Sequence, residues 1–147
     1  LEIIDSISKA LNLEVIWINT GVSYEHKDFV PFEASPLEFV SLFMNASFVC
    51  TDSFHGTAFS VMFEVPFYVF RRQYEIFSRQ HTRIESFLSL MHLESRLWNR
   101  DNETDFSDCG IVDFDFSKNV LQKMRRESAE YLKNALESVE KNSRSFD

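Results

Sequence analysis

The residues best suited to chemistry form one contiguous run, Thr51-Asp52-Ser53-Phe54-His55-Gly56-Thr57. Residues 47–51 (SFVCT) lead into it and read as a short strand, while Ala58, Phe59 and Met62 after it return at helical spacing. The run therefore lies where a strand hands over to a helix. In open α/β sheets ligands bind beyond the carboxyl ends of the strands. The first turn of a helix also carries unpartnered N–H groups and the positive end of the helix dipole, which suit an anion. Ser53 is placed to cap the helix, His55 to present an imidazole from its first turn, and Gly56 to allow a close approach of ligand or chain. Other readings stay open. Asp52 and Ser53 are also ordinary capping residues, and a His beside a Phe is often a satisfied core residue. A nucleophile elbow does not fit, because Thr51 rather than Gly stands two positions before Ser53. A metal centre fits no better, since His26, His55, His81, His92, Cys50 and Cys109 show no ligand spacing.

The elements that must position this run follow from periodicity. Ile3, Ile4, Ile7, Ala10 and Leu11 predict a helix, and the continuous apolar run 15–18 predicts a strand covered on both faces. Ser35-Pro36-Leu37-Glu38 is a capping box with Pro at the first helical position, opening a helix with Leu37, Val40, Phe43 and Met44 as its buried stripe. Residues 66–70 predict another strand and 71–80 a charged, aromatic loop. Thr82-Arg83-Ile84-Glu85 reads as a second capping box, with Ile84, Phe87, Leu88 and Met91 on one side of the helix it opens. Residues 99–108 read as a polar surface loop carrying Asp101, Glu103, Asp105 and Asp108. A last long helix is expected from Asp115 or Ser117, with Val120, Leu121, Met124, Tyr131, Leu132, Ala135 and Val139 as its apolar stripe. Strands alternating with helices of about ten residues imply an α/β protein with a doubly wound, mostly parallel, Rossmann-like sheet and flanking helices. One domain over residues 1–140 is expected, with a frayed tail at 141–147.

Composition narrows the classes. The 147 residues carry a formal charge of −8, and their Lys/Arg clusters are short and interrupted, which argues against nucleic acid as the main partner. Two cysteines make no disulfide framework, and Cys50 in its apolar run reads as a buried free thiol of a reducing cytoplasm. No apolar stretch approaches the ~20 residues of a membrane span, and no signal peptide opens the chain. The chain starts without Met, already in helical pattern, which suggests a piece of a longer protein. Sixteen Phe against three Gly and three Pro predict either a thick core or an apolar face that something else covers.

Residues 35–70, SPLEFVSLFMNASFVCTDSFHGTAFSVMFEVPFYVF, are similar to the signature of the polysaccharide pyruvyl transferase family, whose core reads A-x-F-V-x-T-D-S-F-H-G-T-A-F-S before a P-F strand. The resemblance continues through Arg83-Ile84-Glu85-Ser86-Phe87-Leu88 and reaches SAEYLKNAL at 128–136. It implies the C-terminal half of a two-Rossmann, GT-B-like enzyme with a cleft between its halves, the N-terminal domain being absent. It also implies transfer of pyruvate from phosphoenolpyruvate to two hydroxyls of a saccharide acceptor, as a cyclic ketal, in cell-surface polysaccharide synthesis, with no cofactor and no metal. His55 is the residue expected to do acid/base work or to hydrogen-bond the departing phosphate. Ser53, Gly56, Thr57 and Arg83 are expected to bind the anion, with Arg71 and Arg72 as weaker candidates. A lipid-linked acceptor would bring peripheral contact with a membrane. Two alternatives stand beside this reading: a sugar-nucleotide-dependent glycosyltransferase of the same architecture, and a non-catalytic domain that docks through a Phe-rich face.

Overall fold

The computed structural model describes residues 2–18, 31–71, 78–99 and 106–143. In chain order the elements are α1 (Glu2–Leu11), β1 (Trp17–Ile18), β2 (Pro31–Phe32), α2 (Pro36–Asn45), β3 (Val49–Thr51), α3 (Phe54–Met62), β4 (Phe67–Val69), α4 (Ser78–Met91), a 3-10 turn (Glu94–Arg96) and α5 (Asp115–Ser143). This is an α/β architecture with parallel pairing. Among the described residues the strands form two separate two-stranded ladders, β1–β2 and β3–β4, rather than one continuous sheet. The predicted strand at 15–18 contributes only Trp17 and Ile18 to a ladder.

The β3–β4 ladder organises the core, and its period-2 alternation explains how. Val49 pairs with Phe67, Cys50 with Tyr68 and Thr51 with Val69. Val49, Phe67 and Val69 point to one face, where they join Phe43, Val61, Val65, Ile84, Leu88, Met91, Leu93 and Phe114 in the main cluster. Cys50 and Tyr68 point to the other, where Phe48, Phe70 and Trp98 surround Ile7, Phe106 and Cys109. A strand pair covered on both faces reads as continuous apolar sequence, which is why SFVC and PFYVF do not alternate. The parallel pairing needs a crossover, and α3 supplies it.

Several expectations shift by a turn or a face. The capping box at Ser35 forms as expected: the Ser35 N–H donates to Glu38 Oε2 at 2.9 Å, and the Glu38 N–H donates to Ser35 Oγ at 3.4 Å. That contact holds the Glu38 carboxyl below its ordinary range through the hydrogen bonds from Ser35. The buried stripe of α2 is rotated, however. Leu37 and Met44 are exposed, while Phe39 and Phe43 face the core. Two rings at i and i+4 lie 4.8 Å apart and both meet Phe59, at 5.9 and 5.7 Å, so aromatic packing sets which face turns inward. Phe59 in turn stacks on Phe63. Among the described residues the Phe load is thus spent largely in the two core clusters.

The second capping box is absent. α4 begins at Ser78, so Thr82 lies inside the helix, and a capping residue needs a non-helical backbone. Residues 78–80, expected in a loop, belong to this helix; 72–77, including Arg72, lie outside the described residues. Ile84, Leu88 and Met91 are buried as the spacing predicts. In the predicted surface loop at 99–108, residues 100–105 lie outside the described residues and Asp108 is exposed. Phe106 is instead buried, with its ring edge-on to Tyr68 at 6.5 Å. α5 starts at Asp115 and stays helical to Ser143, past the point where fraying was expected. Among its described side chains the apolar stripe is covered only at Val120 and Leu121, and every one from 122 to 138 is exposed.

Candidate functional site

The site is the turn from β3 into α3, and each backbone feature in it has an assigned job. Thr51, the last residue of β3, turns its hydroxyl forward to accept the Ser53 N–H at 3.1 Å. That bond bends the chain off the strand. Ser53 takes an extended backbone conformation as N-cap, but its side chain makes no capping hydrogen bond. Its carbonyl accepts two bonds instead, from the Thr57 N–H at 3.0 Å and the Thr57 hydroxyl at 2.9 Å. Ser60 repeats the device one turn on, its hydroxyl donating to the Gly56 carbonyl at 2.9 Å. Helix interiors disfavour serine and threonine unless the hydroxyl finds such a carbonyl. Thr57 and Ser60 are fully buried, which ties α3 into the core despite its polar letters.

Gly56 is fixed by space. A Cβ there would collide with the Oγ1 and Cβ of Thr51, so the helix comes down directly on the end of its own strand. Only glycine permits that approach.

α3 starts at Phe54, directly after the expected N-cap Ser53, so His55 is the second helical residue and stands in the first turn as expected. Its side chain is exposed, which removes the core-histidine reading. The ring of Phe54 lies 6.1 Å from that of His55 and edge-on to Phe87 at 5.6 Å. The Arg83 guanidinium sits 5.1 Å above the Phe54 ring, a cation–π arrangement that orients it. Arg83, on α4, is thereby brought beside the N-terminus of α3. Arg71, just beyond β4, pairs with Glu85 at 2.9 Å, both groups exposed. An open depression of about 370 Å³, lined by Phe54, Thr82, Arg83, Ser86, Phe87 and Leu90, adjoins this end of the helix.

Each expected site residue thus has a definite place. His55 and Arg83 present side chains to solvent at the α3 N-terminus. Ser53 is half-buried and offers an unengaged hydroxyl beside the turn. Gly56 and Thr57 are buried, and the Thr57 N–H and hydroxyl are both occupied by Ser53. The donors that helix geometry leaves over are the N–H groups of Phe54, His55 and Gly56. The arrangement combines aligned amide donors, an imidazole and a guanidinium at the carboxyl end of a parallel strand. Such a set can hold an anion and move a proton next to it. Sequence reasoning missed Phe54, which carries Arg83 and contacts Phe87. Its signal was available: a large ring at the first position of an otherwise small-residue turn.

On the far face of the ladder, Cys50 and Cys109 are free thiols in one apolar cluster. Burial, and secondarily the neighbouring Cys109, push the Cys50 thiol up to about 12. Burial raises Cys109 as well, against the opposing charge of Arg96. Both are protonated at neutral pH and poor nucleophiles. Among the described residues, no group of three or more His, Cys, Asp and Glu could hold a metal ion. No described helix is long and apolar enough to cross a membrane.

Fold and turn together define an α/β protein with a donor-rich strand-to-helix edge. Residues 2–74, about half of the chain, match the family model described as Polysaccharide pyruvyl transferase, and through that segment the chain belongs to this family. The match spans α1 to β4 and includes the whole α3 turn. No curated protein and no solved structure matches the chain.

Proposed function

We propose that this chain is the C-terminal half of a two-domain, GT-B-like pyruvyl transferase that acts on cell-surface polysaccharide precursors. Parallel strands, a helical crossover and a ladder covered on both faces support a Rossmann-like plan, with the two short ladders as parts of its sheet. The observation that carries the function is the family match across a turn that leaves His55 exposed at the carboxyl edge of β3.

The reaction takes phosphoenolpyruvate and two saccharide hydroxyls to a cyclic ketal and phosphate. The enol methylene carbon gains a proton and becomes a methyl group. One hydroxyl oxygen bonds to the adjacent carbon, the carbon–oxygen bond to phosphate breaks, and the second hydroxyl oxygen takes its place. Of the two hydroxyl protons, one balances the methyl group and the other leaves with phosphate. His55 serves as the proton-transferring group or as the donor to the departing phosphate. The amides of residues 54–56, the Ser53 hydroxyl and Arg83 hold the phosphate or carboxylate. Arg71 is neutralised by Glu85 and plays the smaller part. Two free thiols accord with a reducing cytoplasm, and a lipid-linked acceptor would bring the protein to a membrane surface.

The test is an assay of the protein with its upstream region present, given phosphoenolpyruvate and saccharide acceptors. Release of phosphate together with a new ketal methyl resonance by NMR is the expected result. Turnover of a sugar nucleotide in its place would overturn the reading in favour of a glycosyltransferase.

A further inference from the structure

We propose that Phe54 is a positioning residue: its ring holds the Arg83 guanidinium at the N-terminus of α3 in place of a carboxylate, so that the charge is fixed there without being neutralised. Under the proposed function Arg83 grips the phosphate or carboxylate of phosphoenolpyruvate, and the role of Phe54 rests on that reading. Phe54 is the first residue of α3. The Arg83 guanidinium carbon lies over its ring, 5.1 Å from the centroid. Phe87 meets the same ring edge-on, with centroids 5.6 Å apart. Arg83 and Phe87 stand four residues apart on α4, so they leave one face of that helix and take the ring between them. Phe54 and Phe87 both pack against the main core cluster, which immobilises the pair, while Arg83 is exposed.

What holds an arginine decides what it can still bind. Arg71 shows one outcome, its guanidinium paired with Glu85 at 2.9 Å and its charge met by that carboxylate. Arg83 shows the other. Glu85 lies two residues further along α4, about 200° around the helix from Arg83, and is already engaged by Arg71. Among the described residues Arg83 forms neither an ion pair nor a hydrogen bond, and the Phe54 ring is what holds it. A ring face attracts a cation through its quadrupole and leaves the positive charge in place. The guanidinium fork stays free to donate to an oxyanion, which it matches two N–H groups at a time. A carboxylate in the position of the ring would occupy those donors. The Phe54 N–H is itself one of the helix donors left over at this end of α3, so one residue supplies an amide and fixes the cation beside it. An aliphatic side chain at position 54 would fill much of the same space with no quadrupole.

A ring that works through Arg83 is coupled to it, and a ring that only packs is not. Titration with inorganic phosphate, followed through the amide NMR shifts of residues 54–56, reads that coupling without requiring ketal formation. Arg83→Ala should weaken phosphate binding by about tenfold. Phe54→Leu should weaken it by about two- to fivefold, and Phe54→Tyr, which keeps a ring, should bind as the unmutated protein does. In the Arg83→Ala background Phe54→Leu should cost nothing further. Ring currents give an independent check. The Arg83 side-chain protons should lie upfield of their ordinary positions in the unmutated protein and return to them in Phe54→Leu.

In the ketal-forming assay, with the upstream region present, Phe54→Leu should raise the KM for phosphoenolpyruvate by about two- to fivefold and leave kcat nearly unchanged, the mark of a grip made equally in ground and transition states. Thermal unfolding identifies the variants that fold. Should Phe54→Leu not fold, Phe54→Met takes its place in the cycle, and the ring-current shift of the unmutated protein still reads the geometry. Equal losses from Phe54→Leu with and without Arg83 overturn the proposal, because the ring then serves packing alone. It is overturned also by Arg83 protons at ordinary positions in the unmutated protein, or by amides at 54–56 that do not respond to phosphate. Uncoupled losses in a protein that still forms ketal remove the role of Phe54 and leave the function standing. Coupled losses in a protein that forms none do the reverse.

Discussion

The first turn of α3 and the distal half of α5 both expose their most conspicuous side chains, for opposite structural reasons. Under His55 the backbone is clamped: Gly56 rests on Thr51, Thr57 and Ser60 are buried with their hydroxyls spent on carbonyls, and Val61 is in the core. Under Leu132 nothing is clamped, because the helix has left the core behind. Exposure alone therefore says little about function. An exposed polar group on an immobilised backbone is suited to chemistry, where small displacements are costly. An exposed apolar group on a projecting helix is suited to a partner.

The largest expected effect tests the first half of that contrast. In the ketal-forming assay, His55→Ala should lower turnover by about 10² to 10⁴-fold, while stability changes by about 1 kcal/mol or less, since the imidazole is exposed. Thermal unfolding measured beside kinetics separates the two. A variant that keeps its turnover ends the catalytic role.

The clamp is tested next. Gly56→Ala should destabilise by about 1–3 kcal/mol, because the new Cβ has Thr51 backed by the strand in its way. Thr51→Ala alone loses the bond to the Ser53 N–H, worth about 1 kcal/mol. Combined with Gly56→Ala it should recover part of the loss, because the clashing Oγ1 is gone. Purely additive losses in denaturant titrations would mean that the close approach is not what fixes glycine there.

How much of this was legible in the sequence depends on whether the deciding interaction was local. The strand-to-helix run at 51–57 and the capping box at Ser35 were readable because turn chemistry and caps are set within a few residues. The inward face of α2 was not, since Phe39 wins over Leu37 only through Phe59 on another helix. Thr82 carried a cap signature inside a helix that begins upstream, and local spacing cannot distinguish the two. Position 54 was placed correctly, but its role depends on Arg83 and Phe87 from α4, which the sequence leaves far away. Phe106 looked like part of a polar loop, because its burial comes from Tyr68 across the chain.

The reverse face of the ladder gives a smaller, pH-dependent effect. Cys50 is raised to about 12 in the folded protein against an ordinary value of 9.0, and Cys109 is also raised, both by burial. A thiol with a raised folded value contributes stability that is complete below pH 9 and is lost as pH rises towards 12. The slope is at most about 1.4 kcal/mol per pH unit for one thiol. Thermal midpoints should therefore be flat, as far as these thiols go, from pH 6 to 8 and fall above 9, and Cys50→Ala should flatten that fall. An unchanged slope in the variant would mean that Cys50 is hydrated in the folded state.

The smallest effect belongs to the distal half of α5, and its smallness is the point. Leu132→Ala removes a side chain that is 61% exposed and touches no part of the core clusters. In dilute solution its cost should stay within about 0.5 kcal/mol. Leu88→Ala, a substitution of the same two residue types at 1% exposure, should cost about 2–5 kcal/mol. The comparison would change with concentration only if the stripe were buried between two copies. Leu132→Ala would then become costly at high protein concentration, where mass action couples unfolding to dimer dissociation, while the cost of Leu88→Ala would stay put. Paired denaturant titrations at low and high concentration read this directly. A Leu132→Ala cost that is large even in dilute solution would mean that α5 folds back onto its own monomer, and the contrast between clamped and projecting regions would then collapse.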